Sequence, residues 1–312
     1  MSERVCVIVN PASRRGHGAQ RLPLVRQAFA AVGVHDVRTT AAPRDEITVA
    51  RRAIEEGATT IVACGGDGTI SNVANAIIAS GADVRLALIA AGTGNDFYKT
   101  VGAPAMDVVA TAKLAVEGGD VRVDVGQVED KYFLNVTGFG FDMAVLEDIR
   151  TIKWLKGPAL YNYSALRQLL YYKGVGIDIA TNGHRRSAHH LMLIIANARH
   201  FGGTFKIAPE ASLTDGRLDA VSFHDTRPLK RLSLFAAAIA GTHPRRPEVT
   251  VEQGDRFVLQ FASPPPYETD GEYNVACSTE VVVRCVPGAL RVAGLDFVRS
   301  GRRTRSMTVS RS

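Results

Sequence analysis

Thr60-Ile61-Val62-Ala63-Cys64-Gly65-Gly66-Asp67-Gly68-Thr69 is the stretch that decides the fold. Its first five residues are rich in β-branched side chains and carry no charge, the pattern of a strand buried on both faces. After the glycines, Ile70 to Ala79 places Val73, Ala74, Ile77 and Ile78 at helical spacing. The local unit is therefore strand, glycine-rich turn, helix. Three glycines in four positions let the backbone take positive φ angles and approach a ligand closely. Successive N–H groups and the positive end of the helix then form a concavity suited to an anion such as phosphate. Asp67 does not fit a passive cradle, because a carboxylate beside a phosphate repels it. A divalent cation between the two removes the conflict, so Asp67 points to Mg²⁺ and a nucleotide polyphosphate. A bare GGDG also suits a tight turn in which Asp67 caps the following helix.

On either side the same unit recurs. Arg4 to Asn10 reads as a strand leaving through Asn10-Pro11-Ala12-Ser13, and a helix is expected over Gln20 to Ala31. Asp36 to Thr40 is a second strand, and Pro43 to Glu56 a helix opened by proline and stopped by Gly57. Arg85 to Ile89 leaves through Gly92-Thr93-Gly94-Asn95-Asp96-Phe97, and Met106 to Glu117 supplies another helix. Alternating strands and helices predict a doubly wound parallel α/β sheet, whose ligands lie at the carboxyl ends of the strands. Asn10, Thr40, Gly65 to Thr69 and Gly92 to Asp96 all follow strands, so they should meet at one edge.

The pattern changes near Arg122. Alternation dominates from there, with Asn182-Gly183 a hairpin signal and further turns at Thr214-Asp215-Gly216, Gln253-Gly254-Asp255 and Thr269-Asp270-Gly271. The second half reads as mainly antiparallel β, a sandwich or open barrel, with helices at Phe141 to Arg150 and Tyr161 to Tyr172. The expected domains are 1–127, completed by 290–300, then 128–289 and a basic, disordered tail over 301–312.

With 312 residues, 46% hydrophobic and 22% charged, the composition suits two globular domains. The formal charge is +6, and all but one unit of it is matched by five arginines between Arg299 and Ser312. The charge thus belongs to the tail and not to a basic folded surface, which argues against nucleic acid. Cys6, Cys64, Cys277 and Cys285 have neither zinc spacing nor a disulfide pattern. The absence of a signal-peptide pattern or a spanning apolar run predicts a reduced, cytoplasmic chain.

In this order the motifs resemble the diacylglycerol kinase catalytic-domain family in its bacterial lipid-kinase form. The markers are NPAS (Asn10 to Ser13), GGDGT (Gly65 to Thr69), GTGNDF (Gly92 to Phe97), VDVG (Val123 to Gly126), the segment from Gly202 through Ala208-Pro209-Glu210 to Asp215-Gly216, and Asp270-Gly271-Glu272. GGDGT alone is shared with NAD kinases and phosphofructokinases. The resemblance implies an NAD kinase- or phosphofructokinase-like α/β domain, a C-terminal β-sandwich domain and a nucleotide cleft. It implies ATP contacts at Asn10, Pro11, Ala12, Ser13, Arg14, Thr40, Gly65, Gly66, Gly68, Thr69, Ile70, Ser71, Asn72, Thr93 and Asn95. It further implies that Asp67, Asp96 and Asp124 organise catalytic Mg²⁺ directly or through water. Ser212, Asp215 and Arg217 match a structural Mg²⁺ site, partly through backbone oxygens, and Glu272 matches the catalytic base, with Asp67 beside it in the catalytic set. One departure is that Arg14 stands where glycine is usual, with Gly16 and Gly18 close behind.

The implied activity is transfer of the γ-phosphate of Mg-ATP to a lipid hydroxyl, diacylglycerol by default, giving phosphatidic acid. A helix terminus stabilises an anion by only about 0.3–1 kcal/mol, whereas a ~10⁶-fold acceleration needs roughly 8 kcal/mol. Metal, aligned acceptor and base must therefore carry most of the barrier. Asp96 and Asp124 on their own suit a helix cap and a strand residue, and Asp215 a turn former. His189-His190, with no third ligand near in sequence, reads as structural. Trp154 to Lys173 interleaves aromatic and basic residues and is the expected face toward a membrane surface, the peripheral partner of such an enzyme. A helix packed on its own domain gives the same pattern. An NAD kinase-like metabolite kinase and a non-catalytic nucleotide- or lipid-binding regulator are the alternatives, and a homodimer is left open.

Overall fold

The computed structural model describes residues 4–14, 16–102, 107–152 and 157–293. The expected tail and Trp154, with Lys153, Leu155 and Lys156 beside it, lie outside the described residues. The chain forms two compact units, one of residues up to Asp124 together with those from Pro287 onward, the other of Val125–Val286.

In the first unit the order is β1 (Val5–Val9), α1 (His17–Ala30), β2 (Val37–Thr39), α2 (Asp45–Glu55), β3 (Thr60–Gly65), α3 (Asp67–Ser80), β4 (Arg85–Ala90), α4 (Asp96–Val101), α5 (Val108–Glu117) and the start of β5 (Asp120–Val128). The strands are parallel, in the spatial order β2, β1, β3, β4, with Val7 opposite both Val37 and Val62, and Cys64 opposite Ile89. Every residue of β1, β3 and β4 is buried, which is why these stretches read as unbroken apolar runs. One face of the sheet, carrying Val7, Val9, Val62, Cys64, Ala87 and Ile89, packs on Val25, Ala28 and Phe29 of α1 and on Ala112, Leu114 and Ala115 of α5. Alternation turns Cys6, Ile8, Ile61 and Ala63 to the opposite face. There α2 and α3 pack on each other and on β1 and β3. The late return of the chain adds a parallel neighbour to β4, with Arg291 opposite Arg85 and Val292 opposite Leu86.

Two helix starts beside the glycine loops differ from the sequence expectation, and α7 begins four residues before the expected Tyr161. Helix α1 starts at His17 and carries Pro23 inside it, with Gly16 at its N-cap at φ 93°. Helix α3 starts at Asp67 rather than Ile70, so half of the glycine motif is already the first helical turn. Gly66, in extended backbone, is its cap.

The second unit contains β6 (Lys131–Phe133), β7 (Val136–Gly140), α6 (Phe141–Thr151), α7 (Gly157–Tyr171), β8 (Val175–Thr181), β9 (His184–Ala196), β10 (Leu218–His224), α8 (Pro228–Ala240), β11 (Val249–Gly254), β12 (Arg256–Gln260), β13 (Pro266–Thr269), β14 (Glu272–Val275) and the first part of β15 (Glu280–Ala293). Pairing is antiparallel throughout. The β8–β9 and β13–β14 hairpins turn on Asn182-Gly183 and Asp270-Gly271, all four at positive φ, as a two-residue type I′ turn requires. Inside, Phe139, Ile177, Leu193, Leu218, Phe257, Tyr267 and Val281 form one core. Phe141 and Val145 of α6, Leu169 of α7 and Leu234 of α8 cover the other side of β9 and β10 through Ile194 and Val221. Helix α8 is not among the elements expected from the sequence.

Candidate nucleotide site and the family it indicates

All four parallel strands of the first unit end at one edge, and their exit loops meet there. Asn10 Nδ2 donates to Thr69 Oγ1 at 3.0 Å, joining the NPAS turn to GGDGT. Thr40, buried at 7% exposure, donates its N–H to the Val9 carbonyl at 3.1 Å. Asn10 Oδ1 accepts from the Ala12 N–H at 2.9 Å and holds the turn closed. Ser13 Oγ is buried without a hydrogen-bond partner, a donor available for a ligand.

Asp67 joins the two glycine loops. Its Oδ2 accepts from the Asn95 N–H and its Oδ1 from the Asp96 N–H, both at 2.6 Å. The cap expected of Asp67 is thus real but belongs to α4, the helix after the other loop, and not to its own helix. Asn95 in turn closes its loop, accepting from the Gly92 N–H at 2.9 Å and donating to the Gly92 carbonyl at 3.1 Å. The loops touch so closely that a Cβ on Gly92 would lie 2.5 Å from the Gly66 Cα. Burial and the nearby Asp96 push the Asp67 carboxyl up, against the opposing pull of the N–H bonds. Two carboxyls this close gather negative charge that a divalent cation would relieve, so the residues present fit a metal-bound polyphosphate.

The remaining expected positions are distributed unevenly. Gly65 closes β3, Gly68 is exposed, and Ser71 and Asn72 are half-buried in α3. Thr93 is exposed at the tip of its loop. Ile70 is fully buried, so its side chain belongs to the core, and its N–H donates to the Gly66 carbonyl at 3.0 Å. Arg14 is exposed with φ 49°, which gives the physical reason for glycine at that position: the backbone is left-handed there. Lys99 Nζ pairs with Asp96 Oδ1 at 3.3 Å. Asp124, buried at 3% exposure, accepts from the Gly288 N–H at 2.8 Å and so holds the returning chain.

In the second unit Glu272 opens β14 directly after the Asp270-Gly271 turn. Asp270 anchors that turn by accepting N–H bonds from Leu134 and Asn135 at 2.8 Å and Val136 at 3.2 Å. In the sequence Asp270 is legible only as a turn and motif residue. Its role as the clamp that fixes Glu272 on β7's entry needs the tertiary pairing to be seen. Ser212, Asp215 and Arg217 share one turn, in which Asp215 Oδ1 accepts from the Arg217 N–H at 3.1 Å and Gly216 has φ 72°. Asp219 follows nearby, and burial, with Asp215 and Glu210 adding to it, pushes its carboxyl up to about 6. Among the described residues no three His, Cys, Asp or Glu side chains gather as a metal site, so a cation at either place would lean on backbone oxygens, phosphate or water. His190 is buried against His224, ring centroids 5.5 Å apart, in keeping with a structural role.

A second acidic feature was not legible. Asp142, first turn of α6, and Glu268, on β13, lie over Gly138: a Cβ there would be 2.7 Å from Asp142 Oδ2 and 3.2 Å from Glu268 Cγ. Both Asp142 oxygens and Glu268 Oε1 are buried without hydrogen-bond partners. Burial drives both carboxyls up, Asp142 to about 6, and Glu268 is raised further by Asp142 and Asp270.

Known families match both parts of the chain. The diacylglycerol kinase catalytic domain matches residues 4–128, and the YegS C-terminal NAD kinase beta sandwich-like domain matches residues 135–294. The chain belongs to the diacylglycerol kinase family. It is 28% identical over 302 residues to a diacylglycerol kinase of Mycobacterium tuberculosis (strain ATCC 25618 / H37Rv), covering 93% of this chain and 94% of the relative. To the diacylglycerol kinase of Bacillus subtilis (strain 168) it is 26% identical over 273 residues, covering 87% and 90%. A solved structure of a diacylglycerol kinase from Bacillus anthracis str. Sterne superposes with TM-score 0.71 at 19% identity, covering 94% of this chain and 97% of that one, which shows the shared fold. Family membership makes a kinase-type phosphotransferase the coarse assignment, and among the described residues no helix is long and apolar enough to cross a membrane.

Proposed function

We propose that the protein transfers the γ-phosphate of Mg-ATP to a lipid hydroxyl, with diacylglycerol as default acceptor and phosphatidic acid as product. The observation that carries this reading is the clasp of Asp67 on the Asn95 and Asp96 N–H groups, which joins the two glycine loops with Gly66 seated against Gly92. Backbone N–H groups of both loops bind and orient the polyphosphate. Asp67, Asp96 and Asp124 would hold Mg²⁺, directly or through water, and the ion when bound would supply charge neutralisation at the transferred phosphoryl group. Glu272, fixed by the Asp270 anchor, takes the proton from the acceptor hydroxyl.

The lipid half of the proposal rests on α7 and α8. The outward stripe of α7 is Tyr163, Leu166, Arg167, Leu170 and Tyr171, and Tyr171 is 75% exposed. On α8 Leu229 (82%), Leu232 and Ile239 are exposed. Neither helix contains an acid. Arg231 locks them together, donating to the Leu169 carbonyl at 2.7 Å and the Tyr172 carbonyl at 2.8 Å. Solvent-facing apolar stripes without acids suit the surface of an anionic bilayer. Of the residues first assigned to this face, Leu169 points inward, buried in the helix–sheet core.

The test is labelled ATP with Mg²⁺ and a panel of extracted lipids plus NAD, followed by chromatography. Label in a lipid supports the proposal. Label on NAD alone overturns it.

A further inference from the structure

Glu46 lies in the first turn of α2, 3% exposed, where its sequence context of Pro43 and Asp45 reads as an ordinary helix start. Its Oε1 accepts from Asn10 Nδ2 at 2.9 Å and from the Thr69 hydroxyl at 3.0 Å. With the Asn10–Thr69 bond, every proton in this triangle is committed: one amide hydrogen to Glu46, one to Thr69, and the hydroxyl hydrogen to Glu46. That arrangement leaves Asn10 only one orientation, the one in which Oδ1 receives the Ala12 N–H. Glu46 Oε2 is buried with no hydrogen-bond partner. Burying a carboxyl with one oxygen unpartnered is costly, and an apolar side chain would pack α2 without that cost. The side chain is therefore explained by the two loops it grips and not by helix packing.

We infer that Glu46 is a positioning residue for the nucleotide, setting the spacing of the Asn10 turn against GGDGT so that the N–H groups of both address one polyphosphate. This rests on the nucleotide reading above. Removing Glu46 takes the shared acceptor from Asn10 and Thr69 and lets both side chains rotate. The glycine loops remain joined through Asp67, so the defect is in ground-state grip and shows in KM for ATP more than in kcat.

The test compares Mg-ATP binding by calorimetry, KM and kcat for ATP, and thermal melting in Glu46→Gln, Glu46→Ala and Glu46→Met. Gln keeps an acceptor oxygen in place and should bind ATP within about threefold of wild type. Ala should weaken binding about tenfold, the loss of one net hydrogen bond to a charged acceptor. Met fills the same volume without an acceptor, so it should weaken ATP as Ala does while melting closer to wild type. ATP affinity unchanged in Ala and Met, with only melting lowered, would overturn the inference by reducing Glu46 to a packing residue. So would Gln failing as badly as Ala. Wild-type protein that binds no Mg-ATP would instead remove the nucleotide reading, and this inference with it.

Discussion

Replacing Asp142 by Asn should stabilise the protein at alkaline pH and do almost nothing under acid. Asp142 and Glu268 are both pushed up by burial, and both lie over Gly138. A carboxyl raised in the fold binds its proton more tightly there than in the unfolded chain. The pair is therefore least costly below the ordinary carboxylate range and costs more stability as pH rises through about 4 to 6 and above. Moving Asp142 from its ordinary 3.8 to about 6 corresponds to about 3 kcal/mol for ionising it in place. Asn loses a favourable negative group at a helix N-terminus, about 0.3–1 kcal/mol. The expected net gain at pH 8 is about 2 kcal/mol, a rise of about 4–8 °C in Tm for a unit of this size. Urea unfolding of wild type and Asp142→Asn at pH 3.5, below the window, and at pH 8 measures it. His190, lowered to about 4 by burial, gives wild type an opposite slope, because a buried neutral histidine loses stability as pH falls below 6.5. The difference between the two proteins cancels that contribution. A gain that is the same at both pH values, or a variant less stable than wild type at pH 8, would refute the reasoning.

Three further outcomes follow from the sites. Gly92→Ala would place a Cβ 2.5 Å from the Gly66 Cα, so Mg-ATP binding should fall at least tenfold in calorimetry while the far-UV spectrum stays unchanged. Asp67→Asn sets an amide donor against one of the two N–H groups it now accepts from, and should destabilise by about 2–3 kcal/mol in chemical denaturation as well as abolish turnover. Leu166→Asp combined with Leu229→Asp puts two acids on the α7–α8 face, and should abolish sedimentation with phosphatidylglycerol vesicles while ATP affinity remains unchanged.

What the sequence made legible was local. Buried parallel strands announce themselves as apolar runs, and Gly65 to Thr69 and Gly92 to Asp96 declare their loops because only backbone-permissive residues turn there. Asn182-Gly183 announces its hairpin for the same reason, whereas Thr269-Asp270-Gly271 is legible only as a turn until β13 and β14 pair. The features that stayed hidden depend on burial or on distant partners. Glu46 is an acid in a helix's first turn until Asn10 and Thr69 close around it. Asp142 and Glu268 are separated by most of the second unit and meet only because β7 and β13 pair at Gly138. Helix α1 runs through Pro23, so the reading that started it at Gln20 missed the turn beginning at His17. Asp67 suits a cap of the helix that follows it, but the helix it caps is α4, after the neighbouring glycine loop, a partner that only the tertiary structure supplies.

Phosphoryl transfer to lipid is the central claim, and Glu272→Gln in a direct product assay tests it most sharply. Diacylglycerol in phosphatidylglycerol vesicles is incubated with Mg-ATP, and the lipid fraction is weighed by mass spectrometry for one added phosphoryl group. Wild type should form that product, and Glu272→Gln should form it at least 10²-fold more slowly while binding ATP as tightly. Equal rates in the two proteins would contradict the assignment of the base, and absence of the product from wild type across the lipid panel would contradict the kinase account itself.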